Sequence, residues 1–209
     1  MSRYADSERH ALADLLTARG PDAPTTIPGW TTRDLAAHLV VRERRPDTVP
    51  GLLLRPLAGH TERVRRAAAA RPYPALVELV RRRPRWGPLS LPLVDELANL
   101  AEFFIHHEDV RRAETGWHPR QLPEAQQAAL WKRVPGLARR SLRRFPAALL
   151  VQAPHHGEVA VGTGGPQVRL VGPPAELVMF LFGRQRVARV RLRGPTALTE
   201  RLQTMRLGI

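Results

Sequence analysis

The chain has 209 residues, 43% of them hydrophobic, no cysteine and a formal net charge of +14. That length allows one large domain or two small ones around a buried core, and the missing cysteine excludes disulfides, thiolate zinc sites and a cysteine nucleophile. The charge raises nucleic-acid binding as a role, but the arginines run from Arg3 to Arg206 in short clusters, such as Arg81 to Arg85, and Lys132 is the sole lysine; a nucleic-acid face is a single basic stripe with aromatic residues between.

The opening residues, MSRYADSERHALADLL, interleave acids with apolar positions and lack the basic-then-apolar layout of a signal peptide. No apolar run approaches the roughly 18 residues that span a bilayer, so a cytoplasmic protein is expected. A first helix is predicted from about Ser2 to Ala18, with Tyr4, Leu12, Leu15 and Leu16 on its apolar side and a stop at Gly20. A loop, PDAPTTIPGW, leads to a second helix capped by Thr31 or Thr32, running through DLAAHLVVRERR and ending before Pro46. Trp30 is expected to staple the start of that helix to the bundle. A third, Arg-rich helix is predicted from Leu52 to Ala70 and a short one through PALVELVRRR.

The longest helical pattern is LPLVDELANLAEFFIHHEDVRRAE, from about Pro92 to Glu114, closed by Gly116. Another helix follows Pro123, kinked or split at Pro135-Gly136. After Phe145 the pattern changes: AALLVQA, EVAVGTG and QVRLVG read as strands separated by the turns PHHG and GTGGP. A helix (PPAELVMFLFGR), a strand (ARVRLRG) and a last helix (PTALTERLQTM) complete the chain. Helices followed by a mixed tail predict an α+β protein, with a helical domain over residues 1–143 and a small α/β domain over 144–209. Gly162 to Gly165 lack the Lys-Ser/Thr and following helix of a phosphate loop, and no Ser-His-Asp arrangement is legible.

Glu102 and His106 stand four apart on the long helix, so both can reach one ion. Asp95 and Asp109 continue the same stripe beside Leu97, Leu100, Phe104 and Ile105; a buried charged stripe needs partners or a metal. An exposed i,i+4 pair on a solvated face would give the same spacing. His38, at helical spacing from Asp34, Leu35 and Val41, lies at the margin of the second helix's apolar face, where a hydrogen-bonded core histidine is the commoner outcome. Two histidines and a glutamate would suit a zinc-type ion with one position open; nickel, manganese and iron remain alternatives. Asp109, about a turn beyond His106, could accept a hydrogen bond from its ring. His107 and Glu108 rotate away from that face and are expected in solvent or between helices.

GWTTRDLAAHL (Gly29 to Leu39) and NLAEFFIHHEDVRRA (Asn99 to Ala113) resemble the two signature segments of the mycothiol-dependent maleylpyruvate isomerase family, within the wider group of DinB-like metal-binding four-helix bundles. The tail GPPAELVMFLFGR…VRLRG is similar to that family's small C-terminal α/β domain, so the likeness spans nearly the whole chain. It implies metal ligands at His38, Glu102 and His106 on a DinB-like bundle. The doubled HHED departs from the isomerase pattern and resembles an actinobacterial subgroup described only as metal-binding. The resemblance therefore implies a divalent metal, most simply zinc, with mycothiol as a cosubstrate. The partners expected are a small electrophile and a low-molecular-weight thiol, with a homodimer as the simplest assembly. The function expected is an isomerase or S-transferase in which the ion activates a thiol or water. A non-catalytic metal-binding or ligand-sensing module, and a basic nucleic-acid-binding protein, are the alternatives.

Overall fold

The computed structural model describes residues 4–48, 58–84, 92–165 and 167–208, except the side chains of 92–94, 97 and 98. The predicted helix starts at Ser2 and Leu52, and Arg3, Arg85 and the side chain of Leu97, lie outside that description. The protein mixes helices with one four-stranded sheet, and it divides into two compact units, Met1–Trp117 and His118–Ile209.

The first unit holds α1 (Tyr4–Arg19), α2 (Thr32–Arg44), a 3-10 turn (Pro46–Thr48), α3 (Ala58–Ala69), α4 (Tyr73–Arg81) and α5 (Pro92–Arg111). Of the two candidate caps for α2, Thr31 is the one used: its hydroxyl accepts from the Asp34 amide, and the Asp34 carboxylate accepts from the Thr31 amide at 3.1 Å. Such reciprocal capping is worth about 1 kcal/mol and fixes where the helix begins, which in turn fixes the rotation of His38. Helix α1 stops where Gly20 takes φ +75 and its amide reaches back to the Leu16 carbonyl. Leu12 and Leu16 of α1, Leu35 and Leu39 of α2, Leu76 and Val80 of α4 and Phe103 of α5 form one buried cluster. Helix α5 lies along α1, and α2 packs on α3 and α4. Helix α3 buries none of its residues, in keeping with its Arg-rich outward face.

The second unit begins with α6 (Glu124–Trp131) and α7 (Val134–Ser141). The break expected near Pro135 falls at Lys132–Arg133, because a proline is accommodated in the first turn of α7 and not in a continuous helix. Strands β1 (Leu149–Ala153) and β2 (Gly157–Val161) form an antiparallel hairpin from Leu149↔Val161 to Ala153↔Gly157. Strand β3 (Val168–Val171) runs parallel to β1, β4 (Arg191–Arg193) runs antiparallel to β3, and the order is β2-β1-β3-β4. Helix α8 (Pro174–Leu181) is buried along its whole length, and α9 (Thr196–Thr204) follows β4. Gly194, at φ +146, admits no side chain: a Cβ there would sit 2.6 Å from the Gln167 carbonyl oxygen.

The division between units corrects the sequence-based boundary at 143/144 to 117/118. Helices α6 and α7 pack on α8, so they belong with the sheet. The glycine-rich segment Gly162 to Gly165 joins β2 to β3 and precedes a strand, as expected of a turn and not of a phosphate loop. Among the described residues, no helix is long and apolar enough to cross a membrane.

Candidate metal centre

Helix α5 carries a polar stripe at Asp95, Asn99, Glu102, His106 and Asp109, alternating four and three residues apart. That spacing keeps one face turned to the neighbouring helices over four turns. Asp95, Asn99 and Asp109 are wholly buried and His106 nearly so. Helix α2 contributes His38, held on the rim of its apolar face by buried Leu35, Leu39 and Val41.

His38, Glu102 and His106 converge, each offering one ligand atom within 4.8 Å of the others. Glu102 Oε1 lies 3.3 Å from His106 Nε2 and 3.6 Å from His38 Nε2, and the two imidazole rings meet edge to face at 5.2 Å. Donors bound at 2.0–2.2 Å around a tetrahedral zinc ion stand about 3.3 Å apart, so these spacings need little adjustment to take an ion. The His38, Glu102 and His106 side chains keep 24, 17 and 7% of their surface exposed; the cluster is therefore buried below and open at the His38 side.

Asp109 orients His106. Its Oδ2 lies 3.0 Å from His106 Nδ1, its Oδ1 accepts from the Thr26 hydroxyl, and its backbone carbonyl accepts from the Thr26 amide at 2.9 Å. A carboxylate on Nδ1 places the ring proton there and turns Nε2 toward the cluster. Electrostatics follow the same geometry. Burial disfavours charge on His106, yet hydrogen bonds to Asp109 and Glu102 outweigh it and raise its pKa. Burial likewise lowers the pKa of His38, against the pull of Glu102. Burial opposes ionisation of Glu102, but His106, His38 and Arg42 together hold it well below the usual carboxylate range.

Sequence reasoning missed Arg42 and misjudged two neighbours. Arg42 Nε is 3.2 Å from Glu102 Oε1, and its terminal nitrogen donates to Asn99 Oδ1 at 2.5 Å; the signal was its place four residues after His38 on one helix face. Trp30 does pack against the core, but its ring also lies 5.4 Å from His38 with the Arg65 guanidinium over its other side, so it walls the site. His107 and Glu108 are buried, which removes the solvent half of the expectation for them. His107 pairs with Glu8 of α1 at 2.9 Å, and Glu108 accepts from Arg111 and Arg112. All four residues of HHED thus carry specific partners. The His155-His156 pair forms a turn, as expected, with His156 Nε2 3.3 Å from Glu124.

No family model, curated protein or solved structure matches the chain.

Proposed function

We propose that the first unit is a metal-dependent enzyme domain in which His38, Glu102 and His106 hold a divalent ion of the zinc type. The observation that carries this reading is the convergence of two imidazole nitrogens and one carboxylate oxygen in a partly buried cluster, with one ring fixed by Asp109. The likeness of the GWTTRDLAAHL and NLAEFFIHHEDVRRA segments to DinB-like, mycothiol-dependent isomerases supports the reaction type: isomerisation or S-transfer on a small electrophile, with the thiol supplied by a low-molecular-weight cosubstrate. The chain has no cysteine of its own to supply that thiol.

A divalent ion with an open position lowers the pKa of a bound thiol or water and so supplies a nucleophile at neutral pH. The chain's residues perform the rest. Asp109 keeps the His106 proton on Nδ1. Arg42 steadies the Glu102 carboxylate and places a positive charge at the rim, where a carboxylated substrate would be drawn in. Trp30, held by Arg65, shields the His38 side from water.

The test is to load the protein with cobalt(II) and titrate it with mycothiol or a thiol analogue. A thiolate-to-cobalt absorption band that appears in the wild type and is absent in Glu102→Ala supports the reading, as does thiol-dependent turnover of maleylpyruvate-type electrophiles. A metal-loaded protein that binds neither mycothiol nor any analogue sinks the thiol chemistry. Metal binding without thiol-dependent turnover would favour a ligand-sensing module.

A further inference from the structure

A second histidine–carboxylate pair lies on the other flank of α5. His107 follows His106 directly, so its side chain leaves the helix about 100° around the axis and faces α1 instead of α2. Its Nδ1 lies 2.9 Å from Glu8 Oε2, and both side chains are more than nine-tenths buried. Among the described residues, His107 Nε2 has no hydrogen-bond partner. The ring lines a groove of about 250 Å³ between the C-terminal ends of α1 and α5, together with Leu15, Arg19, Arg111, Glu114 and Trp117. An inter-helix pairing alone would explain Glu8 against His107, but not a buried imidazole nitrogen left without a partner at the wall of a groove.

The groups in the groove define its ligand. A carboxylate on Nδ1 fixes the proton there, so Nε2 is a hydrogen-bond acceptor and calls for a donor such as a hydroxyl. Two guanidiniums, Arg19 and Arg111, face one carboxylate, Glu114, which pairs with Arg19; the balance favours an anion, and guanidinium matches carboxylate geometry. Leu15 and Trp117 supply apolar walls. The volume equals that of about eight waters at roughly 30 Å³ each, below the range of drug-sized pockets.

We propose that this groove is a binding site, separate from the metal centre, for a small hydroxycarboxylic acid whose hydroxyl donates to His107 Nε2 and whose carboxylate meets Arg111 and Arg19. The Glu8–His107 pair orients the acceptor as Asp109 orients His106, and α5 carries the two sites on different faces.

Calorimetric titration with matched probe pairs tests the assignment: 4-hydroxybenzoate against benzoate, and lactate against propionate. The hydroxylated member of at least one pair binds wild type at least tenfold more tightly than its partner. His107→Gln removes that preference. Leu15→Trp, which fills the groove and leaves the Glu8–His107 pair in place, abolishes binding. Glu102→Ala, which disables the metal centre, leaves the affinity as it was. Circular dichroism checks the fold of each variant, and where a variant is unfolded, a ligand-dependent shift of the His107 ring resonances in wild type decides. The proposal is overturned if no probe binds, if benzoate and propionate bind as well as their hydroxylated partners, if Leu15→Trp still binds, or if the His107 resonances do not move.

Discussion

In the first half of the α5 stripe, Asp95 and Asn99 meet Arg9, which is wholly buried, bonds both oxygens of Glu43 at 2.6 and 2.7 Å and reaches Asp95 at 2.8 Å. Asn99 completes that cluster by donating to Glu43 and Asp95, and the Arg9 guanidinium lies 4.2 Å over the Phe103 ring. In the second half, Glu102 and His106 meet His38, another base, and the acceptors of three side chains point at one another across the cluster. Arg42 touches both halves, through Asn99 and through Glu102. The first half is an ion cluster closed by a cation of the chain's own; the second has the donors of a metal centre and gains from an added cation. Equal burial along one helix stripe therefore yields two different properties: rigidity where the counter-charge is covalently part of the chain, and ligand chemistry where it is not.

The largest effect that follows is on Arg9. Arg9→Met leaves Glu43 and Asp95 buried without their cation, and removing one partner of such a cluster costs about 3–5 kcal/mol. Urea unfolding should show that loss, while Glu102→Ala in metal-free protein costs far less. Equal losses would erase the distinction between the two halves. The next effect sharpens it at the open half: Asp109→Asn keeps the three ligands but weakens the orientation of His106, and metal affinity should fall about 10–100-fold. Calorimetric zinc titration checks this; an unchanged affinity would make the Asp109 contact incidental.

The pH dependence has opposite signs with and without metal. Because the folded pKa of His106 is raised above 6.5, its contribution to metal-free stability is full below that value and is lost as pH rises through the raised one. Glu102, held below 4.5, contributes above that value and loses its contribution as pH falls through the lowered one. Metal must displace the second proton of His106, so metal affinity should rise with pH by up to about tenfold per unit until that proton is gone. His38, lowered by burial, adds no competing proton. Stability and affinity that move with pH in the same direction above 6.5 would contradict this ordering. The smallest effect belongs to the α2 cap: Thr31→Ala should cost about 1 kcal/mol, read as a shift in the urea midpoint, with a modest loss of metal affinity through His38.

Much of the centre was legible in spacing. Glu102, His106 and Asp109 share a face by helical periodicity, and the structure brings His38 to them from α2. Periodicity describes a helix and its faces but not which neighbour meets each face. Arg42 went unread for that reason, although it stands four residues from His38. The same limit explains His107 and Glu108, whose polar side chains suggested solvent until Glu8 and Arg112 were seen opposite them. It also explains the boundary: α6 and α7 read as a continuation of the helical run, and only their packing on α8 assigns them to the sheet unit. The strands and turns after Phe145 were readable because β-branched runs and Gly-rich turns signal locally.

The most direct test of the central claim is the metal content of protein purified without chelator, measured by elemental mass spectrometry for wild type, Glu102→Ala and His106→Ala. The account predicts near-stoichiometric divalent metal in the wild type and a sharp fall in both variants, each still folded. A metal-free wild type that takes up none of zinc, nickel or manganese would contradict it and leave His38, Glu102 and His106 as a structural cluster like that of Arg9.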